Sequence, residues 1–348
     1  MTTFPTLVRA TSPSGEQRFA LGHPLVDLYL EFVAGRVRPN ILRAVAFDLK
    51  AFFSVVERDP VEVVAADVFE FLADQRGDRS VIRLSDGESG LAARTIARRL
   101  SSVSGFYSYL VARGDTAVRT NPVPHGLATR RQGGRTRVVP LVRVPRTLPK
   151  ILSPAEVDAL LGAMRTHRDR AMVFAMVLGG LRRCEVLGLR LRDVQVAERQ
   201  LFIAEGKGGR ERITPISNLF FSAVGDYLNE ERPANAPTDR LFVALKGPSR
   251  GQGLSAEGVD VIMRGARTRA GLERATCHQL RHTCLTRLRE AGMALEAVQA
   301  QAGHVSIEST RIYLHLTNDW LAGEYRRASE RIDAGAAAEL LALDAINA

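Results

Sequence analysis

The sequence predicts a mainly α-helical protein with a small antiparallel sheet, in which an N-terminal helical bundle precedes a C-terminal α+β domain. Apolar residues recur at helical spacing through the first third of the chain. In the second half, two short runs on either side of a Gly-rich turn have the pattern of paired strands. A length of 348 residues allows two domains, each with its own core, and 45% hydrophobic with 25% charged residues is typical of globular proteins.

The charge balance favours a polyanionic partner. Lysine and arginine number 48 against 38 acidic residues, a formal net charge of +10. This excess suits nucleic acid, although net charge alone reports solubility and nonspecific attraction. Three cysteines, an odd number, argue against a disulfide framework and for a reducing compartment. With no apolar signal region and no run of membrane-spanning length, we expect a soluble, cytoplasmic protein.

The first domain is predicted to be a helical bundle over 21–125, after a polar, flexible N-terminus at 1–20. Its helical patterns lie at 24–34, 41–57, 61–75 and 91–112. The fourth helix has an apolar stripe on one face, another face bearing Arg94, Arg98 and Arg99, and Gly114 as a C-cap. We predict that this basic face contacts DNA phosphates; a solvated arginine face is the simpler alternative.

A basic linker is predicted at 126–150. Prolines and glycines disfavour a helix there, so the segment is expected to be extended and to cross a DNA surface. Each cation could displace a condensed counterion, which predicts salt-sensitive binding. The segment holds no acid, and its cations are Arg130, Arg131, Arg135, Arg137, Arg143, Arg146 and Lys150.

The second domain is predicted over 151–330. Ser153 to Glu156 form a capping box that begins a helix, and 171–180 is a buried helix that ends at glycines. Residues 200–206 and 210–216 form a hairpin with Lys207 at its tip, and helices resume at Ser255. The Ala/Leu-rich residues 331–348 are predicted to be a tail helix that docks on its own domain or on a neighbouring protomer.

Six residues that can carry phosphoryl-transfer chemistry follow one another in the second domain. They are Arg182 in GGLRRCEVLGL, Lys207 in EGKGGRERITPI, His278 and Arg281 in CHQLRHT, His304 in QAGHVS, and Tyr313 in TRIYLHL. At these residues the chain resembles the tyrosine recombinase, or phage integrase, family. The match covers roughly 150–320, and the nine-residue step from His304 to Tyr313, with His315 just beyond, is its most diagnostic part.

The chemistry explains why cations belong in this set. Transesterification at phosphorus places extra negative charge on nonbridging oxygens, so fixed donors must converge there. Arg182 and Arg281 offer forked, permanently charged donors. His278 and Arg281 lie three residues apart, and if CHQLRHT begins a helix, with a polar start that lacks a cap, both project from one face.

The resemblance implies a role for each residue. Tyr313 is the nucleophile that forms a 3′-phosphotyrosine, His278 accepts a proton and His304 binds phosphate. Lys207 is the general acid for the 5′ leaving oxygen, and Glu185 supports the cations. The phosphotyrosine conserves bond energy, so neither a metal nor ATP is expected as a cofactor.

At the level of the molecule, the resemblance implies a site-specific DNA recombinase that integrates, excises or resolves DNA. The helical domain becomes a core-binding domain, and with the catalytic domain it forms a DNA clamp. The partners implied are double-stranded recombination sites and three further copies in a synaptic homotetramer, with accessory proteins as an open addition. The tail helix is our candidate for the contact between protomers.

Three alternatives stay open at the sequence level. Cys277, His278, His282 and Cys284 could form a zinc site, but the two cysteines are hard to aim at the same point as the i, i+4 histidine pair. Without that site, His282 is read as a structural histidine. A type IB topoisomerase-like strand transferase or a telomere resolvase would use similar residues. A DNA-binding regulator with a decayed site would have no need to keep Tyr313.

Overall fold

The structure is a computed structural model that describes residues 4–11, 17–77, 90–130, 136–145, 150–204 and 211–304, with 310, 326 and 329. The chain forms two compact units, Met1–Arg146 and Thr147–Ala348. The boundary between them falls inside the predicted basic linker. Each unit contains its own hydrophobic core among the described residues.

The first unit is a helical bundle with two small hairpins. Its elements are β1 (Val8–Thr11), β2 (Gln17–Ala20), α1 (Pro24–Ala34), α2 (Pro39–Val56), α3 (Ala65–Gly77), α4 (Ala93–Arg113), β3 (Leu127–Arg130) and β4 (Thr136–Val139). The four predicted helices are confirmed, and Gly114 ends α4 in the left-handed conformation. In the core, Phe52 packs edge-on against Phe53 and Phe71, so aromatic contacts join α2 to α3.

Two segments expected to be irregular pair as antiparallel strands instead. The N-terminus was predicted to be flexible, but β1 pairs with β2, and Phe19 on β2 is buried in the helical core. Within the predicted extended linker, β3 pairs with β4, with Leu127 opposite Val139. Val138, Val139 and two threonines on these strands favour the pleated conformation, and Pro140 follows β4 where no further pairing is needed.

The second unit is mainly helical and carries one three-stranded antiparallel sheet in the order β5-β6-β7. Its elements are α5 (Pro154–Gly162), α6 (His167–Val177), α7 (Arg183–Gly188), a 3₁₀ turn (Leu191–Asp193), β5 (Val194–Gln195), β6 (Gln200–Ile203), β7 (Arg212–Pro215), α8 (Asn218–Glu230), α9 (Ala256–Arg269), α10 (Cys277–Glu290) and α11 (Leu295–Ala302). Buried side chains of α6, β6 and α8 share one core. The predicted mainly α fold with a small antiparallel sheet is therefore confirmed.

Side chains fix where the important helices begin. The predicted capping box of α5 is present: Ser153 Oγ accepts from the Glu156 N–H at 3.2 Å, and the Glu156 carboxylate accepts from the Ser153 N–H at 2.7 Å. The start of α10 was expected to lack a cap, and this expectation is wrong. Thr276 and Gln279 form a second capping box there, which sets the register of the residues that follow on α10.

A membrane-spanning helix was not expected. Among the helices in the described ranges, none is both long enough and apolar enough to cross a membrane.

Candidate active site

The site is built around the short helix α7. Arg182 is the N-cap residue of α7, and Glu185 is the third residue of the helix. The Glu185 carboxylate accepts the Arg182 backbone N–H at 2.8 Å and its Nη1 at 2.7 Å. The carboxylate is buried, whereas a fifth of the Arg182 side chain is exposed. Glu185 therefore holds the guanidinium at the helix start and leaves part of it accessible.

Arg281 approaches the same carboxylate from the first half of α10. Its side chain is buried, Nη1 donates to the Gly180 carbonyl, and Nη2 donates to the Ala302 carbonyl. Nη1 also lies 3.9 Å from Glu185 Oε2. The guanidinium thus bridges the loop before α7 and the end of α11, and these fixed acceptors determine its orientation.

His304 completes this group just after α11. Its Nε2 lies 3.2 Å from Arg281 Nη2, and its Nδ1 lies 3.0 Å from the hydroxyl of the buried Thr310. A guanidinium can only donate, so Nε2 is the acceptor, Nδ1 carries the proton and Nδ1–H donates to Thr310. The Gly303 carbonyl accepts Arg182 Nη2 at 3.3 Å. Successive carbonyls at the end of α11 therefore bind the two arginines immediately before His304.

Arg212 on β7 was not anticipated from the sequence. Its Nη1 and Nη2 donate to the two oxygens of Glu185 at 3.0 and 2.9 Å, a bidentate pair. Burial alone would raise the pKa of the Glu185 carboxyl, but the bonds and charge of Arg212, and then of Arg182, lower its pKa to about 2. Glu185 is thus a permanent anion that three arginines share.

The hairpin provides a sequence signal for Arg212. Arg212 pairs with the buried Ile203, and Thr214 pairs with the buried Leu201. Residues opposite one another in an antiparallel ladder share a face, so Arg212 lies on the core side of β7. A charged residue in phase with buried positions requires a buried counterion. That rule, applied to RERITPI, would have selected Arg212.

Gln301 links three parts of the site. Its amide nitrogen donates to the Gly179 and Pro215 carbonyls, each at 3.0 Å. The first bond joins α11 to the loop before Arg182, and the second joins α11 to the end of β7. The side chain is buried, so both bonds are protected from water. This residue too was absent from the sequence prediction.

His278 and His282 face each other on successive turns of α10. Their Nε2 atoms lie 2.8 Å apart, and the rings meet edge-on at an interplanar angle of 80°. Burial, with the charges of Arg281 and Arg182, lowers the pKa of His278. Burial, with His278 and Arg281, lowers the pKa of His282 to about 4. The sequence reading had placed His282 outside the site.

The alternative zinc site of Cys277, His278, His282 and Cys284 is not present in the described residues. Cys284 is buried, and an added Cβ on Gly180 would lie 3.4 Å from its Sγ, while the two histidines bind each other through Nε2. Burial raises the pKa of Cys284 to about 12, which disfavours the thiolate that zinc needs. No three His, Cys, Asp or Glu side chains in the described ranges are grouped to hold a metal ion. Cys277 packs against the core of the second unit, and Cys284 is buried.

Two expected catalytic residues lie outside the described residues, namely Lys207 and Tyr313. The same is true of Arg131, Arg135, Arg146 and the tail at 331–348. Arg130 and Arg137 occupy paired positions on β3 and β4, opposite Thr136 and Thr129. Arg182, Glu185, His278, Arg281 and His304, by contrast, all lie in the described part of the second unit.

The predicted basic face of α4 is used partly within its own unit. Arg98 donates to the buried Asp48 of α2, and Arg99 donates to Gln75 of α3. Half of the Arg98 side chain stays exposed, and Arg94 is exposed. The simpler reading therefore accounts for two of the three arginines as ties between helices, and contact of this face with DNA stays a prediction.

Comparison with known sequences places this geometry in a family. The sequence profile of the phage integrase family matches residues 150–319. Tyrosine recombinase XerC of Herpetosiphon aurantiacus is 33% identical, over 73% of this chain and 79% of the relative. Tyrosine recombinase XerD of Listeria monocytogenes serotype 4b is 30% identical, over 88% of this chain and 99% of the relative. The chain belongs to the tyrosine recombinase family and is an enzyme of site-specific DNA recombination.

Solved structures agree on the fold. The Tn1549 transposon integrase in complex with transposon right end DNA is similar with a TM-score of 0.62, at 19% identity, over 88% of this chain and 99% of that one. A lambda integrase dimer bound to a COC′ core site gives a TM-score of 0.61, at 17% identity, over 83% and 96%. At such identities the likeness establishes the fold class.

Proposed function

We propose that this recombinase cleaves duplex DNA at specific sites with Tyr313 as the nucleophile, holds the cut strand as a 3′-phosphotyrosine, and rejoins it to a partner strand. The observation that carries the proposal is the convergence of Arg182, Arg281 and His304 around the buried Glu185. These residues have the order and context expected of the family, and they supply the cations that the reaction requires.

The two arginines act on the charge that develops at phosphorus. Both are fixed by Glu185 and by backbone carbonyls before any substrate arrives. Preorganised donors of this kind stabilise an oxyanion without reorganising during the reaction. His304 lies against Arg281, 3.2 Å from its Nη2, and is the third member of this set, assigned to bind a phosphate oxygen.

Two proton transfers accompany the exchange. His278 accepts the proton of the Tyr313 hydroxyl as the tyrosine oxygen bonds to phosphorus, and Lys207 gives a proton to the departing 5′ oxygen. In the reverse step a 5′-hydroxyl attacks the phosphotyrosine, and the protons return. The lowered pKa of His278 keeps it neutral, and able to accept, at neutral pH.

The partners follow from this chemistry and from the relatives. We assign double-stranded recombination sites as substrate and a homotetramer as the synaptic assembly, because exchange between two duplexes requires four strand cleavages. The two units would clamp the DNA, with the cations of 126–150 against the phosphates. The biological outcome is integration, excision or resolution of DNA.

A covalent-adduct assay on nicked duplex DNA tests the proposal. The wild-type chain should form an adduct that survives denaturing gel electrophoresis and retains a label placed on the strand segment upstream of the break, the segment that ends in the 3′ phosphate. Tyr313→Phe should form none, because it lacks the attacking oxygen. Tyr109→Phe, which alters a tyrosine of the first unit, is the matched control and should react as wild type.

The outcomes separate the alternatives. Retention of the adduct in Tyr313→Phe would overturn the assignment of the nucleophile. Absence of any adduct from the wild type on its recovered binding site would favour a DNA-binding regulator. An adduct that retains the downstream segment, whose 5′ end lies at the break, would refute the stated polarity.

A further inference from the structure

The contact between His278 and His282 constrains where protons reside. With 2.8 Å between the two Nε2 atoms, one nitrogen donates a hydrogen and the other accepts it. Ring centroids 4.2 Å apart and nearly perpendicular planes make this an edge-on meeting, as expected for residues four apart on one helix. A second proton on the accepting nitrogen would break the bond, so one of the two rings must be neutral.

The surroundings of the two rings determine which one stays neutral when the pair gains a proton. The charges of Arg281 and Arg182 act on His278, and those of His278 and Arg281 act on His282. Burial, followed by His278 and Arg281, lowers the pKa of His282 to about 4. His282 therefore stays neutral over the whole physiological range and keeps a ring nitrogen available as an acceptor.

We propose that His282 is a positioning residue that accepts the Nε2–H of His278 and so leaves Nδ1 of His278 as the nitrogen that takes the tyrosine proton. This inference rests on the proposed function, in which His278 is the proton acceptor. A neutral imidazole has one protonated nitrogen, so fixing Nε2–H leaves the lone pair on Nδ1. The other tautomer would present an N–H to the tyrosine hydroxyl and could not accept its proton.

The proton balance of the step is complete. The Tyr313 oxygen bonds to phosphorus as its proton passes to His278 Nδ1, and the bond from phosphorus to the 5′ oxygen breaks as Lys207 supplies a proton to that oxygen. His278 then carries a positive charge and still donates Nε2–H to neutral His282. A hydrogen bond from a charged donor is stronger than one from a neutral donor, so the pair stabilises the product of the transfer.

The tautomer can be measured without DNA. In the full-length protein with ¹⁵N-labelled histidine, long-range nitrogen–proton spectra should show His278 protonated on Nε2 at pH 7.5, with its signals assigned by their loss in His278→Gln. In His282→Leu the two tautomers should mix. A wild-type His278 protonated on Nδ1 would overturn the proposal, and this holds even if His282→Leu fails to fold.

Cleavage kinetics give the second readout. His282→Leu should slow single-turnover cleavage of nicked DNA by about 10- to 100-fold, the size typical when a partner that orients a functional histidine is lost. The pH at which the rate rises to its plateau should also change. His282→Gln keeps an acceptor the same number of bonds from Cα as Nε2 and should recover much of the rate. His167→Leu removes a part-buried histidine whose ring lies beside Asp226 and Glu230 of α8 and none of the residues assigned to the chemistry, and it should cleave as wild type.

Failure of this inference is distinct from failure of the proposed function. If Tyr313→Phe abolishes the adduct while folded His282→Leu cleaves at the wild-type rate with an unchanged pH profile, only the role of His282 falls. If Tyr313→Phe still forms the adduct, the proposed function falls. Loss of rate in His282→Leu without rescue by His282→Gln and without a change in pH profile would indicate packing alone and would refute positioning.

Discussion

Each unit buries a carboxylate that accepts hydrogen bonds from arginines, and the two cases differ in what else those arginines contact. In the first unit, Asp48 of α2 accepts Arg98 and, at 2.8 Å, Ser102, both from α4. In the second, Glu185 accepts Arg182 from the start of its own helix and Arg212 from β7. Both carboxylates are almost completely buried, so desolvation is similar and the partners make the difference.

The distinction lies in the contacts that each guanidinium makes besides the carboxylate. Arg98 is half exposed, and its described acid partner is Asp48, so the pair ties α2 to α4. Around Glu185, Arg182 and Arg281 also bind the carbonyls of residues 303 and 302, which brings them next to His304. A buried acid with arginines is therefore weak evidence for a functional site by itself. Convergence on a further titratable group is the informative feature.

Replacing each carboxylate by alanine should separate the two roles, and this is the largest effect we expect. Glu185→Ala releases three guanidiniums and should reduce cleavage by at least ~100-fold, because the oxyanion donors lose their fixed positions. Asp48→Ala should lower the free energy of unfolding by about 1–3 kcal/mol through the lost buried bonds and leave cleavage per folded molecule unchanged. Single-turnover cleavage rates normalised to the folded fraction measure the loss of activity in each variant, and urea unfolding measures the change in the free energy of unfolding. Equal losses of rate in the two variants would erase the comparison.

The pH dependence of stability should report the charge on Glu185. Its pKa of about 2 lies below the ordinary value of 4.5, so the anion stabilises the fold above about pH 4.5 and the contribution disappears as pH falls toward 2. A difference of that size corresponds to roughly 3 kcal/mol. Urea unfolding of the wild type and Glu185→Gln from pH 6 to 2.5 should show a gap that narrows with acid. A gap independent of pH would mean that Glu185 acts by shape alone.

Replacing Arg212 or Arg98 by lysine should change the cleavage rate least among these variants. Arg212→Lys retains the charge but loses the two-pronged bond to Glu185, and we expect about a tenfold slower cleavage from the less well oriented carboxylate. Arg98→Lys makes the same chemical change beside Asp48 and should leave the cleavage rate within about twofold, because surface substitutions away from a site usually have effects of that size or smaller. A loss of cleavage rate confined to Arg98→Lys would show that the Asp48 pair, and not the Glu185 pair, supports cleavage.

The sequence identified most residues of the candidate site because their order and context are distinctive, and their catalytic roles stay proposals. Arg182, His278, Arg281 and His304 are spread over more than a hundred positions, yet each lies in a short distinctive motif. The helices of both units were predictable for a different reason, since their apolar spacing and caps are local. Neither kind of signal depends on tertiary contacts.

The features that escaped prediction depend on contacts distant in sequence. Arg212 is one of many arginines, and its role appears only when strand pairing places it on the core side beside Glu185. His282 needed the ring of His278 at a defined distance before it differed from a packing histidine. The hairpin of β3 and β4 was hidden because charge and proline dominate the composition of that segment, whereas its strand-forming residues are few.

The backbone conformation of Gly303 and its closeness to Arg212 restrict which residues position 303 can hold. It precedes His304 in the left-handed conformation, with φ at 57°, and an added Cβ would lie 2.9 Å from Arg212 Nη1. A side chain there would be strained and would push the guanidinium away from Glu185. A side chain at position 303 and the bidentate pair of Arg212 with Glu185 would compete for the same space, so the two positions are coupled although β7 and α11 lie far apart along the chain.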